Sequence, residues 1–127
     1  MEKRFSAKWI ESSQRRKQRK YRYNAPLHLK RKFMAAHLSK ELRKKYSKRS
    51  AVVRKGDRVK VERGSFKDKT AKVSRVDVRR ELVYLEGIDR IKKDGSKSPV
   101  GLHPSNITIL DIVTDDKERV ASLARKQ

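Results

Sequence analysis

The chain has 127 residues, of which 37 are Lys or Arg and 15 are Asp or Glu, so its formal net charge is +22. It contains no cysteine, which excludes a disulfide framework, a thiol catalyst and a cysteine-based zinc site. Only 35% of the residues are hydrophobic, and no apolar run approaches the roughly 18 residues that a membrane span requires. We therefore expect a soluble, intracellular protein with a polyanion partner, most simply nucleic acid, and neither a membrane nor a small-molecule substrate.

The positive charge is concentrated at the start of the chain, where residues 1–50 hold 18 basic and 3 acidic side chains. Residues 14–22 contain six basic side chains and no acidic or aliphatic one, so we expect a basic arm over residues 1–23 that phosphates order. Tyr21 and Tyr23 alternate with this charge and can stack on bases or riboses. A nuclear-import patch or a solvated tail is the alternative. The candidate RNA-binding residues here are Arg15, Arg16, Lys17, Arg19, Lys20, Tyr21 and Arg22.

Phe5 and Trp9 lie four residues apart and can share one face of a short helix. This face packs either in a pocket of a neighbouring protein or RNA, or on the chain's own β domain.

Two short helices are predicted over residues 24–50. Asn24 is the candidate cap of the first helix, and Pro26 suits its first turn. Leu27, Lys30, Arg31 and Met34 recur at helical spacing. Ser39 is the candidate cap of the second. In that helix Glu41 lies at the positive end, and Lys44 and Lys45 lie near the negative end. The candidate RNA-binding residues of this segment are Lys30, Arg31 and Lys32.

Residues 51–113 carry short, alternating apolar runs separated by turn residues, which predict about five strands and a mainly β domain. A domain of this size fits a small SH3-like or OB-type barrel. Asp94 and Gly95 are the predicted tip of a hairpin. The predicted strands lie around residues 59–61, 73–78, 82–85, 100–102 and 107–109.

Residues 55–78 form a strand, a basic loop and a second strand, and they resemble the KOW motif of RNA-contacting proteins. Gly64 allows a tight turn and a close approach to a ligand, and Phe66 can pin the loop to the barrel or stack on a base. The motif usually has glycine where this chain has Asp68 and Ala71. A basic hairpin on any small barrel is the alternative. The candidate RNA-binding residues are Arg54, Lys55, Arg63, Gly64, Ser65, Phe66, Lys67, Lys69 and Lys72.

Residues 114–127 predict a C-terminal helix capped by Thr114. Its first turn is predicted to hold Asp115, Asp116 and Glu118, and its last turn Arg125 and Lys126. The thin apolar stripe is expected to pack on the β domain, and it consists of Val120, Leu123 and Ala124.

Enzyme chemistry is not predicted, because no metal-ligand spacing, nucleotide loop or paired-carboxylate site appears, and no cofactor is expected. His28 is expected on a helix and His103 in a turn, and RNA contact or local capping is the expected role of each. His37 lies far from both in sequence. His103 joins the candidate RNA-binding residues. The neighbouring pairs Asp57/Arg58 and Asp89/Arg90 are interpreted as solvated surface pairs of little energetic value.

Several longer segments of the sequence resemble a large-subunit ribosomal protein family in its archaeal and eukaryotic form. This is the universal L-twenty-four family, called L-twenty-six in eukaryotes. They lie at residues 24–32, 38–46, 53–57, 84–87, 93–95 and 103–107. The resemblance covers residues 14–112. It implies an SH3-like barrel that binds large-subunit rRNA near its 5′ end, early in assembly, near the peptide exit tunnel and beside other ribosomal proteins.

The resemblance also implies a cytoplasmic, ribosomal location. Two other functions remain open from the residues alone, a transcription-elongation or RNA-chaperone protein with a KOW barrel, and a DNA-compacting basic protein.

Overall fold

In the computed structural model, residues 12–125 are described, so the predicted Phe5–Trp9 face and Lys126 lie outside the described residues. The described part is mixed α/β and mostly β, with four α-helices and one seven-stranded sheet. In chain order the elements are α1 (Arg15–Asn24), α2 (Leu27–Phe33), β1 (Ala35–Leu38), α3 (Lys40–Tyr46), β2 (Ser50–Val52), β3 (Arg58–Val61), β4 (Thr70–Asp77), β5 (Leu82–Ile91), β6 (Lys97–Leu102), a 3₁₀ turn (Pro104–Asn106), β7 (Ile107–Asp111) and α4 (Lys117–Ala124).

The strands are arranged in the order β2-β1-β7-β3-β4-β5-β6. Strand β1 runs parallel to β7, and all other neighbours are antiparallel. The predicted mainly β character and the five predicted strands, which correspond to β3–β7, are confirmed. The closed SH3-like barrel is not confirmed, because β2 and β6 remain the two edges of this sheet in the described residues.

One apolar core lies under the sheet and is built by alternation along the strands. On β3, Val59 and Val61 are fully buried, and on β7 Ile107 and Ile109 are as well. The remaining buried members of this core are Met34, Ala36, Leu38, Val53, Val73, Val83, Leu85 and Ile88.

The predicted hairpin between β5 and β6 is present. The Gly95 amide donates to the Lys92 carbonyl, and Gly95 has a φ of 84°. Ile91 and Lys97 are paired in register just below this tip.

Residues 14–22 were expected to become ordered only on phosphates, but Arg15–Asn24 forms helix α1 without them. Arg, Lys and Gln have good intrinsic helix propensity, which opposes the mutual repulsion of their like charges. The helix buries no residue of its own, so its position depends on a few side-chain contacts.

The first predicted helix is wrong at both ends. Asn24 ends α1 instead of capping α2, and Pro26 is the N-cap residue of α2, with no side-chain cap. Met34 lies beyond the helix and begins a strand-like alternation with Ala36 and Leu38, all three of them buried. Alanine is a weak strand former, so this pattern went unrecognised and β1 was missed. The short strand β2 was missed as well.

The second predicted helix is confirmed as α3. The Ser39 hydroxyl accepts from the Leu42 amide, Glu41 lies in the first turn, and Lys44 and Lys45 lie in the last. Strand β1 and helix α3 therefore meet directly at this cap.

The C-terminal helix is present, but it begins at Lys117, and Asp116 rather than Thr114 caps it by accepting from the Glu118 amide. Arg125 follows the last turn as the C-cap residue. The helix packs on the sheet as expected, although with a different face, since Arg119 and Leu123 are buried and Val120 is exposed.

The interpretation of Asp57 as a solvated surface group is wrong. Asp57 is 0% exposed, and its carboxylate binds Arg119 of α4 rather than its neighbour Arg58. Arg58 instead makes a loose surface pair with Asp111 at 3.8 Å. The true partner of Asp57 lies 62 residues away, so local alternation of charge could not identify it.

Candidate nucleic-acid interface

Helix α1 has a face that packs against the rest of the chain. The Tyr21 ring lies 6.4 Å from the Phe33 ring of α2, and the Arg22 guanidinium lies 5.2 Å from the same ring. Arg22 also approaches Glu81 at 3.3 Å. Two of the seven residues predicted in the arm are therefore engaged by the fold itself.

The other predicted residues of α1 are free of the sheet. All five are exposed to solvent, namely Arg15, Arg16, Lys17, Arg19 and Lys20. This helix carries no acidic residue in its first turn. It thus presents a dense cationic surface.

The loop between β3 and β4, residues 62–69, is a compact turn closed by the backbone. The Asp68 amide donates to the Val61 carbonyl at 2.8 Å, and the Lys67 amide donates to the Gly64 carbonyl at 3.2 Å. Gly64 has a φ of 98°, as the predicted tight turn requires. Asp68 has a φ of 65°, which explains why the KOW pattern usually has glycine here.

Cationic side chains surround this turn. Arg63, Gly64, Ser65 and Lys67 are exposed. Phe66 is half-buried against the core, so it pins the loop to the sheet. The Lys69 ammonium lies 5.1 Å from the Phe66 ring, which orients this lysine at the base of the loop.

An ion pair crosses the base of the same turn, where Lys60 Nζ lies 3.0 Å from Asp68 Oδ1. The hydrogen bond from Lys60 lowers the pKa of the Asp68 carboxyl, and the bond to Asp68 raises the pKa of Lys60. The pair lies at the solvent-facing surface, so it adds little stability. Lys67 also interacts with Asp68, to a smaller extent than Lys60 does. The loop remains cationic, because Arg63, Lys67 and Lys69 outnumber its acids Glu62 and Asp68.

A groove brings together predicted residues from two separate segments. Arg31 of α2 meets Arg54 and Lys55 of the β2–β3 connection around a cavity of about 640 Å³. Its apolar floor includes Met34 and Val76. The convergence arises because β2 pairs antiparallel with β1, which returns the chain to α2 after helix α3. Arg54 is held there by an ion pair with Asp116.

Arg75 also lines this groove and was missed in the sequence. Its guanidinium lies 4.5 Å from the Tyr84 ring on the adjacent strand. A register irregularity between Val73 and Arg75 interrupts the alternation that would have marked its direction.

The remaining predicted residues are dispersed. Lys32 of α2 is exposed, Lys30 is half-buried, and Lys72 of β4 is exposed opposite Arg58. His103 performs local capping, because its Nδ1 accepts from the Ser105 amide at 3.2 Å.

Glu81 was missed as a structural partner. It lies 3.3 Å from Arg22 and 3.8 Å from His103, so one carboxylate joins α1 to the end of β6.

Across residues 12–125, no helix is long and apolar enough to cross a bilayer. The same described residues contain no group of three or more His, Cys, Asp or Glu side chains that could hold a metal ion. The fold and these surfaces define a small, strongly basic, mostly β protein whose exposed cations suit a polyanion.

Comparison with known proteins identifies the family. Residues 12–126 match the family described as the eukaryotic ribosomal proteins L26 and their archaeal counterparts L24. A large ribosomal subunit protein uL24 of Methanocella arvoryzae is 48% identical over 117 residues, covering 92% of this chain and 94% of its own length. The uL24 protein of Methanothrix thermoacetophila is 47% identical over 114 residues, covering 90% of this chain and 98% of its own.

The chain belongs to this family of eukaryotic L26 and archaeal L24 ribosomal proteins, as the sequence resemblance predicted. Its role is structural rather than enzymatic, and its location is the cytoplasmic ribosome.

Proposed function

We propose that this chain binds large-subunit rRNA as a structural component of the large ribosomal subunit. The observation that carries the proposal is the set of exposed cations on two structured elements, α1 and the 62–69 loop. Each phosphate contact by Lys or Arg releases counterions, so a few such contacts supply most of the affinity. The names of the two archaeal relatives support the choice of subunit.

The three cationic surfaces have different roles in this proposal. The exposed side of α1 follows the phosphate backbone. The 62–69 loop presents Arg63 and Lys67 from a rigid turn, and the groove of Arg31, Arg54 and Lys55 accommodates a third stretch of backbone. Recognition depends on RNA shape and 2′-hydroxyl groups more than on base sequence, because A-form grooves hide the base edges.

The finer architecture and location follow the family resemblance. Strands β3–β7 correspond to the SH3-like barrel, which is supported by the pairing of β3 with both β4 and β7. In this proposal residues 1–23 serve as the basic arm and residues 24–50 as the segment with the two short helices, which also contributes β1 to the sheet. Residues 51–113 serve as the main part of the β domain and residues 114–127 as the C-terminal helix. Binding near the 5′ end of the rRNA, early in assembly and close to the exit tunnel, rests on the resemblance alone.

Direct competition tests the proposal. The chain is bound to a large-subunit rRNA transcript and challenged at constant salt with either structured RNA or duplex DNA of equal phosphate concentration. We expect the rRNA to be retained against duplex DNA. Preferential transfer to duplex DNA would support a DNA-compacting protein instead.

Two sets of charge-neutralising variants locate the interface. Replacing Arg16 and Lys20 by Gln on α1, or Arg63 and Lys67 by Gln in the loop, is expected to weaken rRNA binding roughly tenfold or more per set. The matched control replaces Lys40 and Lys44 by Gln on α3, which removes the same charge from a helix outside the proposed surfaces. An equal loss in the control would show that net charge alone, rather than these surfaces, determines binding.

A further inference from the structure

Tyr23 is the most exposed large hydrophobic side chain in the described part of the protein. It is 84% exposed, near the end of α1, and Leu27, 53% exposed, begins α2 just beyond the Ala25–Pro26 connection. The other exposed large hydrophobic residues in this part are aliphatic, Ile91 and Val120. Packing among residues 12–125 does not explain an aromatic ring left in water at this position.

Helix geometry separates Tyr23 from Tyr21. Residues two apart in an α-helix point about 200° apart around its axis. Since Tyr21 packs against Phe33, Tyr23 is directed away from Phe33 and helix α2. Arg16, Arg19 and Lys20 precede Tyr23 by seven, four and three residues, so they share its side of α1. The solvent-exposed face of α1 therefore carries the Tyr23 ring beside three exposed cations.

This combination has a specific chemistry. A nucleobase can stack on the open ring while the neighbouring guanidinium and ammonium groups hold its phosphates. A protein partner would need a strongly acidic surface to approach the same helix, and it would gain only two exposed apolar side chains here. Charge complementarity therefore favours RNA over protein as the occupant.

We infer that Tyr23 is a stacking residue that receives an unpaired nucleotide of the bound RNA, whereas Tyr21 serves the fold. The inference rests on the proposed rRNA binding and adds a site for single-stranded nucleotides to a surface otherwise suited to phosphates. Recognition of this kind tolerates any base, because every base has a π-face.

The test uses the full chain and a large-subunit rRNA transcript. Tyr23→Ala is expected to weaken binding roughly 5- to 150-fold, the range for removal of one base–aromatic stack, while Tyr23→Phe retains affinity within about twofold. The salt dependence of binding is expected to stay unchanged in both variants, because neither alters charge. Ile91→Ala, at a 70% exposed aliphatic residue, is the matched control and is expected to have no effect. Circular dichroism checks that α1 is retained in each variant.

The outcomes are distinguishable. Full affinity in Tyr23→Ala would overturn the inference and leave the proposed function intact. Equal losses in Tyr23→Ala and Tyr23→Phe would assign the contact to the hydroxyl group and would also overturn stacking. Failure of the unaltered chain to bind rRNA would refute the proposed function itself.

Discussion

The Asp57 carboxylate and the Arg119 guanidinium form a buried, two-point ion pair, with oxygen–nitrogen distances of 2.6 and 2.7 Å. Asp57 also accepts from the backbone amides of Arg54 and Val113. Arg119 donates in addition to the carbonyls of Val113 and Val52. These bonds join α4, the edge strand β2 and the end of β7 at one point, so the pair fixes the C-terminal helix against the sheet.

Loss of Asp57 is expected to be the most destabilising single polar change in the described chain. Asp57→Ala leaves the Arg119 guanidinium buried without its counter-charge and leaves two backbone amides unpaired, so the free energy of unfolding should fall by about 3–5 kcal/mol. Urea unfolding monitored by circular dichroism measures this loss of unfolding free energy. Asp111→Ala, which removes only the loose exposed partner of Arg58, is the control and should cost under about 0.5 kcal/mol. Comparable losses in the two variants would contradict the assigned role.

Asp68 is expected to tolerate glycine better than a branched residue. Its φ of 65° lies in the left-handed region, so Asp68→Val should lower the free energy of unfolding by about 1–2 kcal/mol. Asp68→Gly relieves the backbone but loses the exposed pair with Lys60, and should stay within about 0.5 kcal/mol of the original chain. Lys67→Val is the control, because it introduces the same branched side chain at a neighbouring exposed residue whose φ is not positive. It separates the backbone strain at residue 68 from the effect of valine itself. Thermal unfolding would refute this account if all three variants were equally stable.

Phe33 is expected to hold α1 in place. An isolated helix of this length is marginal in water, and Phe33→Ala removes the ring that both Tyr21 and Arg22 pack against. Amide hydrogen exchange should accelerate roughly tenfold across residues 15–24 while the amides of β5 remain protected. Leu27→Ala, at an exposed residue of the same helix as Phe33, should leave α1 unchanged. Unaltered exchange of α1 in Phe33→Ala would exclude this anchoring role.

Lowering the pH is expected to destabilise the folded chain, because three of its Asp carboxyl groups have a lowered pKa in the folded state. Hydrogen bonds from Lys60, Ser96 and Arg54 lower the pKa of Asp68, Asp94 and Asp116, respectively. A carboxyl whose pKa is lower in the folded chain stabilises it above its unfolded pKa, ordinarily 3.8, and this contribution disappears as pH falls through the folded pKa.

The check is thermal unfolding at about pH 5 and about pH 2.5. The unaltered chain should lose stability between these two conditions. A variant with Asn at Asp68, Asp94 and Asp116 should lose less, because these side chains no longer titrate. An identical loss in the two proteins would show that other carboxylates carry the acid sensitivity.

The helices and strands that are marked by signals in their own local sequence were predictable. Alternation at Val59 and Val61 marks β3, the Asp94–Gly95 turn marks the β5–β6 hairpin, and Ser39 marks the start of α3. Each of these signals lies within a few neighbouring residues, so no knowledge of the tertiary structure was needed.

The features that were missed depend on distant partners. Asp57 is surrounded by basic neighbours in sequence, and only the docking of α4 brings Arg119 to it. The engagement of Arg22 by Glu81, and the convergence of Arg31 with Arg54, likewise require the fold. The sequence therefore identified the cationic segments, whereas the division into free and engaged cations came from the structure.

The salt dependence of rRNA affinity tests the central claim most directly. If six to ten phosphates are held by the cations of α1, the 62–69 loop and the Arg31–Arg54 groove, the logarithm of the association constant should fall against the logarithm of salt with a slope of roughly −4 or steeper. Replacing Arg63 and Lys67 by Gln should reduce the magnitude of that slope by about one for each phosphate that the loop no longer holds. A slope near zero, or one that this replacement leaves unchanged, would contradict the account.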